Sequence, residues 1–168
     1  MRVVSVGAGT LGTAVSEVLK ADGHEVVGVS RSSEPGVDLS KPESLKGALG
    51  TLMPFDALIC LGPGTPLRPL DELSPAQLQA DFAGKLFGQI EALRVAARLM
   101  TNGVVVLTGG AAPDLDGGSG GTAVNAALAA FITAARRELP VRAHVVAPGW
   151  VSESIPPDWD IPRFHSGG

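Results

Sequence analysis

Short apolar runs alternate with longer amphipathic stretches along most of this 168-residue chain. The apolar runs have the length and composition of buried strands. They occupy residues 3–6, 25–30, 37–39, 56–60, 104–108 and 142–147. Helical patterns occupy residues 11–20, 74–100 and 122–139, and a further helix is predicted to open at residue 40. Because strands alternate with helices, we expect an α/β fold: a doubly wound parallel sheet with helices on both faces.

The clearest motif is the glycine turn Gly7-Ala8-Gly9-Thr10-Leu11-Gly12, between the first strand pattern and the first helix pattern. Gly7 would make the tight turn, Gly9 would let a pyrophosphate approach the backbone, and Gly12 would let helix and strand pack closely. The N–H groups of the helix start, at Thr10 and Leu11, would face the phosphates. An ordinary glycine turn is the alternative, but the strand–turn–helix context favours a dinucleotide site and a Rossmann-type fold.

The end of the second strand indicates which dinucleotide is bound. An acidic residue there binds the ribose 2′-hydroxyl of NAD, whereas Arg accommodates the 2′-phosphate of NADP. Arg31, followed by Ser32 and Ser33, favours NADP over NAD; a solvated Arg at a strand end is the alternative. Asp38 either approaches the adenine edge or is a turn residue. Gly62, in the Gly- and Pro-rich loop after residue 60, would let the backbone lie against the cofactor.

Two helix starts carry capping signals. Residues 40–43, Ser-Lys-Pro-Glu, have the spacing of a capping box, and residues 74–77, Ser-Pro-Ala-Gln, combine an N-cap with a first-turn proline. The second of these helices is predicted to run to Met100. Gly84 and Gly88 lie inside it, at a cost of about 1 kcal/mol each relative to Ala, which indicates close packing against a neighbour.

Composition excludes several classes of partner. Hydrophobic residues make up 45% of the chain, yet no apolar run approaches the roughly 20 residues that span a bilayer. The net charge is −4 and the 13 Lys and Arg residues are scattered, so we expect no nucleic-acid partner. The single cysteine, Cys60, lies in an apolar strand pattern and is predicted to be a core residue. The three His residues are too dispersed along the chain to predict a metal site. We expect a cytoplasmic protein with no membrane partner.

The order of these motifs resembles that of the short-chain dehydrogenase/reductase family, over nearly the whole chain to about Ser154. The resemblance rests on the glycine turn, the pair Asp38-Leu39, residues 56–59 before a glycine loop, and residues 145–151. It implies that Leu39, Pro148, Gly149 and Val151 also contact the cofactor. The glycine motif is one residue tighter than in the family, and the family's last helix and strand are not found. An atypical short member is therefore expected, with one domain over residues 1–154 and a Pro-containing tail or lid over residues 155–168.

The resemblance also assigns a catalytic set, and this set is unusual. The family uses a Ser and a Tyr that hold the substrate oxygen, a Lys one helical turn after the Tyr, and an Asn on the preceding long helix. Here Thr108 stands at the Ser position, Gly121 at the Tyr position, Asn125 at the Lys position and Lys85 at the Asn position. The chain contains no Tyr at all.

A desolvated Lys85 could replace the missing proton donor, because burial lowers the pKa of an ammonium group. The alternative is a surface lysine whose stem covers apolar area. We therefore expect an NADP-dependent oxidoreductase acting on a small carbonyl or alcohol. The alternative function is a non-redox binding or regulatory protein, or an isomerase or cyclase, on the same scaffold.

Small and apolar residues along the helix from Thr122 and the helix to Met100 predict a homodimer, or a homotetramer built from it. The alternative is a monomer in which the tail covers these helices.

Overall fold

The computed structural model describes residues 1–111, 116–149 and 151. Within them, five parallel strands form one sheet in the order β2-β1-β3-β4-β5. The strands are β1 (Arg2–Val6), β2 (Glu25–Val29), β3 (Ala57–Cys60), β4 (Val104–Thr108) and β5 (Arg142–Val146). In register, Val4 of β1 lies opposite Val27 of β2 and Leu58 of β3. The predicted doubly wound α/β fold is confirmed.

The helices are α1 (Thr10–Ala21), α2 (Pro42–Thr51), α3 (Pro75–Asp81), α4 (Gly88–Leu99) and α5 (Ser119–Ala135). A π-helical segment, Phe82–Phe87, joins α3 to α4. The predicted helix over residues 74–100 is therefore helical throughout but changes its pitch in the middle. Its N-cap is confirmed: the Ser74 hydroxyl accepts the Gln77 backbone N–H, and the Gln77 side chain accepts the Ser74 N–H.

The main core lies between one face of the sheet and α2, α4 and α5. Its largest fully buried side chains include Leu49, Leu58, Leu93, Leu128 and Ile132. The β1–β2 and β3–β4 connections run in opposite directions across the sheet, so right-handed crossovers place α1 on the other face. This agrees with the contacts of α1, which are to β1 and β2, and with the absence of α1 residues among the described members of the main core.

The predicted strand over residues 37–39 is wrong, although Val37 and Leu39 are buried. These residues form a loop and no ladder with β2: the Val37 N–H donates to the Ser30 carbonyl just past the end of β2, and the Leu39 carbonyl lies beneath the α4 helix start at Gly88. The capping box over residues 40–43 is also wrong. The Ser40 hydroxyl donates to the Asp38 carboxylate instead, and α2 begins without a side-chain cap.

The last described helix is shifted relative to its prediction of residues 122–139. It begins earlier, at Ser119, in a glycine-rich stretch. Gly120 packs against Leu73, so tertiary contact offsets the low helix propensity of glycine. It ends at Ala135, and the Arg136 guanidinium then donates to the Ala143 carbonyl of β5. The tail predicted over residues 155–168, and the end of the predicted domain at residues 152–154, lie outside the described residues.

Candidate functional site

The glycine turn between β1 and α1 has the geometry that its sequence predicts. Gly7 has a φ of +115°, and a Cβ there would lie 2.5 Å from the Leu61 carbonyl oxygen. A Cβ at Gly12 would overlap the Gly7 carbonyl, so helix and turn touch backbone to backbone. Gly9, in contrast, has nothing within 4 Å of the position its Cβ would take. The turn is therefore closed on its inner side and open where a ligand would approach.

The start of α1 is suited to an anion. Its N-cap is Gly9, which offers no side-chain acceptor, and its first turn contains no acidic residue. The first N–H groups, on Thr10, Leu11 and Gly12, have no intrahelical acceptor and carry the positive end of the helix dipole. A phosphate group would satisfy these donors.

A cleft of about 550 Å³ opens beside this turn. It lies where β1 and β3 are neighbours but their following connections leave in opposite directions, which is where doubly wound sheets bind ligands. Its lining includes the predicted cofactor residues Gly7, Gly9, Arg31, Ser32, Asp38, Leu39 and Gly62. A second cavity, of about 620 Å³, lies at the opposite end of the sheet, beside the beginnings of β4 and β5. We take the first as the nucleotide cleft because it faces the carboxyl ends of the strands.

The turn after β2 separates ligand candidates from structural residues. The Ser33 hydroxyl accepts the Ser30 N–H and donates within the turn, to the Ser30 and Pro35 carbonyls, so it holds the turn together. Arg31 and Ser32 are exposed and line the cleft. Within the described residues the Arg31 side chain has no ion pair. The Ser32 hydroxyl has one partner within the turn, the Ser30 hydroxyl at 3.2 Å, but it stays exposed beside the cleft. Arg31 and Ser32, rather than Ser33, are therefore the residues placed to contact a ligand.

Asp38 also lines the cleft, and its carboxylate accepts both the hydroxyl and the backbone N–H of Ser40, at 2.7 and 3.0 Å. These hydrogen bonds, with the nearby charges of Lys41 and Arg31, lower the pKa of Asp38 against a small opposing effect of burial. Asp38 is thus an ionised turn residue. A contact with adenine stays a prediction.

Lys85 is buried, with only 6% of its surface exposed. Removal from water lowers the pKa of its ammonium group, and no carboxylate pairs with it among the described residues. It lies in the π-helical segment, between Gly84 of the same segment and Gly88 at the start of α4. These two glycines differ in how closely other residues approach them. A Cβ at Gly88 would overlap the Leu39 carbonyl, whereas one at Gly84 would make only an ordinary contact with Pro63. The interpretation of Lys85 as a surface lysine is therefore wrong.

Thr108 ends β4 and is connected to Lys85 by a residue that the sequence analysis missed, Gln89. The Gln89 side chain is fully buried. Its Oε1 accepts the Thr108 N–H at 2.9 Å, and its Nε2 donates to the Thr108 and Lys85 carbonyls, both at 3.0 Å. One signal could have found it: Lys85, Gln89 and Leu93 follow at helical spacing, so two polar residues continue a buried stripe.

Asn125, on α5, carries a buried side-chain oxygen, Oδ1, that has no hydrogen-bond partner among the described residues. Its Nδ2 faces Gly110, where a Cβ would come within 2.9 Å. Because α5 packs against the π-helical segment, Asn125 and Lys85 lie on neighbouring elements. Farther along, the Ala111 N–H donates to the Pro148 carbonyl, so residues 148–149 continue past the end of β4 rather than into the nucleotide cleft.

Gly121, which the resemblance aligns with the family's tyrosine, is covered by the loop that follows β3. A Cβ at Gly121 would lie 2.6 Å from the Thr65 hydroxyl oxygen. The same loop is fastened near the start of α5 by the Arg68 N–H, which donates to the Gly117 carbonyl, and at the end of α3 by the ion pair of the Arg68 guanidinium with Asp81. A large side chain at position 121 would therefore have to displace this loop.

The cysteine and the described histidines lie outside the nucleotide cleft. Cys60 is fully buried, and burial raises the pKa of its thiol to about 12, so it is a core residue as predicted. His24 lies in a turn near the amino terminus, and His144 is exposed on β5, whereas His165 lies outside the described residues. Within the described ranges, no three His, Cys, Asp or Glu side chains are grouped as metal ligands. In the same part of the chain, no helix is long and apolar enough to cross a membrane.

No family model matches the chain. Among solved structures, the protein lin1944 from Listeria innocua is 30% identical, with a TM-score of 0.84 over 92% of this chain and 80% of that one. A small-chain dehydrogenase in complex with NADPH is 27% identical, with a TM-score of 0.77 over 89% of this chain and 70% of that one. A short-chain dehydrogenase/reductase from Vibrio parahaemolyticus is 20% identical and shares the fold, with a TM-score of 0.77 over 88% and 84% of the two chains. The solved structures that resemble this chain therefore include short-chain dehydrogenases/reductases, and the chain shares their fold.

Proposed function

We propose that this chain is an NADPH-dependent oxidoreductase that interconverts a small carbonyl compound and its alcohol. The observation that carries the proposal is a desolvated Lys85, with no ion pair among the described residues, on a segment that reaches the cleft wall: a Cβ at Gly84 would contact Pro63, which lines the nucleotide cleft. A similar protein has been crystallised with NADPH, which supports this choice of cofactor.

The residues that line the nucleotide cleft support the choice of a phosphorylated dinucleotide. The open side of Gly9 and the uncapped start of α1 would hold the pyrophosphate, and Arg31 with Ser32 would hold the 2′-phosphate. Leu39 and Gly62 would supply apolar and backbone contacts along the cleft, and Pro148, Gly149 and Val151 would follow the nicotinamide half. When bound, NADPH supplies the hydride.

Lys85 would supply the proton. In the reducing direction its ammonium group donates a proton to the substrate oxygen as the carbonyl carbon accepts the hydride, so an alcohol forms and the lysine becomes a neutral amine. Thr108 and Asn125 would hold the substrate oxygen, through a hydroxyl and an amide. A threonine hydroxyl is too weak an acid for the proton transfer itself, and the chain has no tyrosine.

A lowered lysine pKa predicts a specific pH dependence. Reduction requires the ammonium form, so its rate should fall as the pH rises through the pKa of Lys85, while alcohol oxidation requires the amine and should rise over the same range. A pH–rate profile in both directions measures this. Profiles that change in the same direction would contradict the assignment.

The direct test follows loss of nicotinamide absorbance from NADPH with a panel of small aldehydes, ketones and oxo acids. We expect turnover with at least one class, and loss of turnover but not of NADPH binding in Lys85→Met. Lys46→Met, at an exposed lysine, is the matched control and should remain active. If NADPH binds tightly but no compound in the panel is reduced, the non-redox alternative is favoured, consistent with the filled position beside Gly121.

A further inference from the structure

Gln89 is a buried polar side chain whose every hydrogen-bonding partner is backbone. The Thr108 N–H can only donate, and the Thr108 and Lys85 carbonyls can only accept, so the orientation of the Gln89 amide is unambiguous. All three contacts lie between 2.9 and 3.0 Å. With no exposed surface, the side chain acts entirely within the protein.

The three elements that Gln89 joins all border the proposed site. Thr108 is the last residue of β4, and Lys85 lies in the π-helical segment. On its third side, Gln89 packs against Gly62 in the wall of the nucleotide cleft, where a Cβ would lie only 3.0 Å from Nε2. A side chain at position 62 would therefore push on the Gln89 amide. Glycine at position 62 therefore serves two purposes: it leaves room for the Gln89 amide, and it would let a cofactor approach the backbone.

π-helical turns are uncommon and occur often at functional sites. Here the segment holds a buried lysine away from water, which costs free energy, so the surrounding structure must keep the side chain from turning outward. The bond from Gln89 to the Lys85 carbonyl fixes the turn that carries this lysine, and the pair of bonds to Thr108 fixes that turn against β4.

We propose that Gln89 is a positioning residue, which holds Lys85 and Thr108 as one rigid unit against the nucleotide cleft. The role in catalysis rests on the proposed function. Small displacements of catalytic groups reduce reaction rates strongly, so holding Lys85 and Thr108 in fixed positions would support catalysis.

The test replaces Gln89 with Met, which has a similar length and no amide. Lys85 is followed by NMR titration of 13C-labelled lysine Cε in the complete protein, with its signal assigned by its absence in Lys85→Met. Without the amide, the Lys85 and Thr108 backbone groups are left unpaired and the segment should shift toward water. We expect the Lys85 titration midpoint to rise toward that of an ordinary lysine. Lys46 serves as the internal reference and should not move.

Two further variants keep the test decisive. Leu93→Val removes buried volume one turn along α4 but none of the three hydrogen bonds, so it should leave the Lys85 midpoint unchanged. If Gln89→Met does not fold, Gln89→Asn keeps an amide that is one methylene too short to make the contacts with Thr108, and it should raise the midpoint in the same direction. An unchanged midpoint in the Gln89 variant that folds, or an equal shift in Leu93→Val, would overturn the proposal.

Activity is read separately, so the two proposals can fail separately. With NADPH and the carbonyl compounds that the panel identifies, Gln89→Met should lower kcat about tenfold or more while NADPH affinity, measured by nicotinamide fluorescence, stays within about twofold. A shifted Lys85 midpoint in a protein that never oxidises NADPH would keep the positioning of Lys85 and reject the proposed function. Turnover by the wild type, together with an unchanged Lys85 midpoint in Gln89→Met, would keep the proposed function and reject the positioning role of Gln89.

Discussion

Among the described residues, Lys85 is the charged side chain that is classed as buried. Its pKa lies below the ordinary 10.5 because the ammonium group is desolvated. Between the folded pKa and 10.5, the unfolded chain binds more protons than the folded one, so the free energy of unfolding should rise with pH across that window. Lys85→Met removes the buried charge and should stabilise the protein at pH 7, by about 1.4 kcal/mol for each unit by which the pKa is lowered.

Urea unfolding at pH 7 and at pH 10 measures this difference. The gain in stability from Lys85→Met should be largest at pH 7 and should shrink toward pH 10. Lys46→Met is the control and should change neither value, because Lys46 is exposed. Parallel stability curves for Lys85→Met and the wild type would show that Lys85 is not desolvated in solution.

Arg31 should decide between the two dinucleotides. Loss of a charge-assisted contact with the 2′-phosphate should cost about 1.5–3 kcal/mol, or about 10- to 150-fold in NADPH affinity, with little effect on NADH. Calorimetry on Arg31→Ala with each cofactor measures both. Arg137→Ala, at an exposed position on the turn after α5, is the control. Equal weakening of NADPH and NADH would refute the assignment of Arg31.

At the scale of the elements, the two glycines beside Lys85 should respond oppositely to the same substitution. Gly88→Ala places a methyl group on the Leu39 carbonyl, so the helix must shift, and we expect a loss of about 1–3 kcal/mol. Gly84→Ala makes an ordinary contact with Pro63 at 3.7 Å and gains helix propensity of up to about 1 kcal/mol.

Thermal unfolding separates the two variants, since about 1 kcal/mol corresponds to a shift in Tm of roughly 2–4 °C for a chain of this size. Gly88→Ala should unfold at a lower temperature than the wild type, and Gly84→Ala at the same or a higher one. Similar losses in both would mean that the π-helical segment, not the Leu39 contact, demands glycine.

For the whole molecule, exposed apolar side chains on two helical elements bear on assembly. Phe87 and Phe131 are 53% and 37% exposed, and α5 presents several exposed alanines around Phe131. We predict a homodimer or homotetramer in which these helices cover one another, because small side chains permit close helix approach. Light scattering should give at least a dimer mass at micromolar concentration, and Phe131→Glu should yield monomer.

Val18→Glu, on the solvent side of α1, is the matched control and should leave the mass unchanged. A wild-type monomer mass that NADPH does not alter would contradict the predicted assembly.

Local sequence alone determined the fold class, the glycine turn and the start of α3. These features depend on short-range effects: hydrophobic runs of strand length, the φ that only glycine adopts freely at Gly7, and the reciprocal bonds of Ser74 and Gln77. The burial of Cys60 followed from its place in an apolar strand. Each of these properties is set by residues that are close together in the chain.

Only the tertiary structure decided which elements bury each side chain. Residues 37–39 look like a strand because Val37 and Leu39 alternate with a polar residue, but the start of α4 covers Leu39 and the segment forms no ladder with β2. Whether Lys85 faced solvent or the interior depended on segments far away in sequence, and so did the role of Gln89, whose partner Thr108 is 19 residues distant. The loop carrying Thr65 reaches Gly121 in the same way. Periodicity reports that a side chain is buried, whereas its partners are set by how the elements pack.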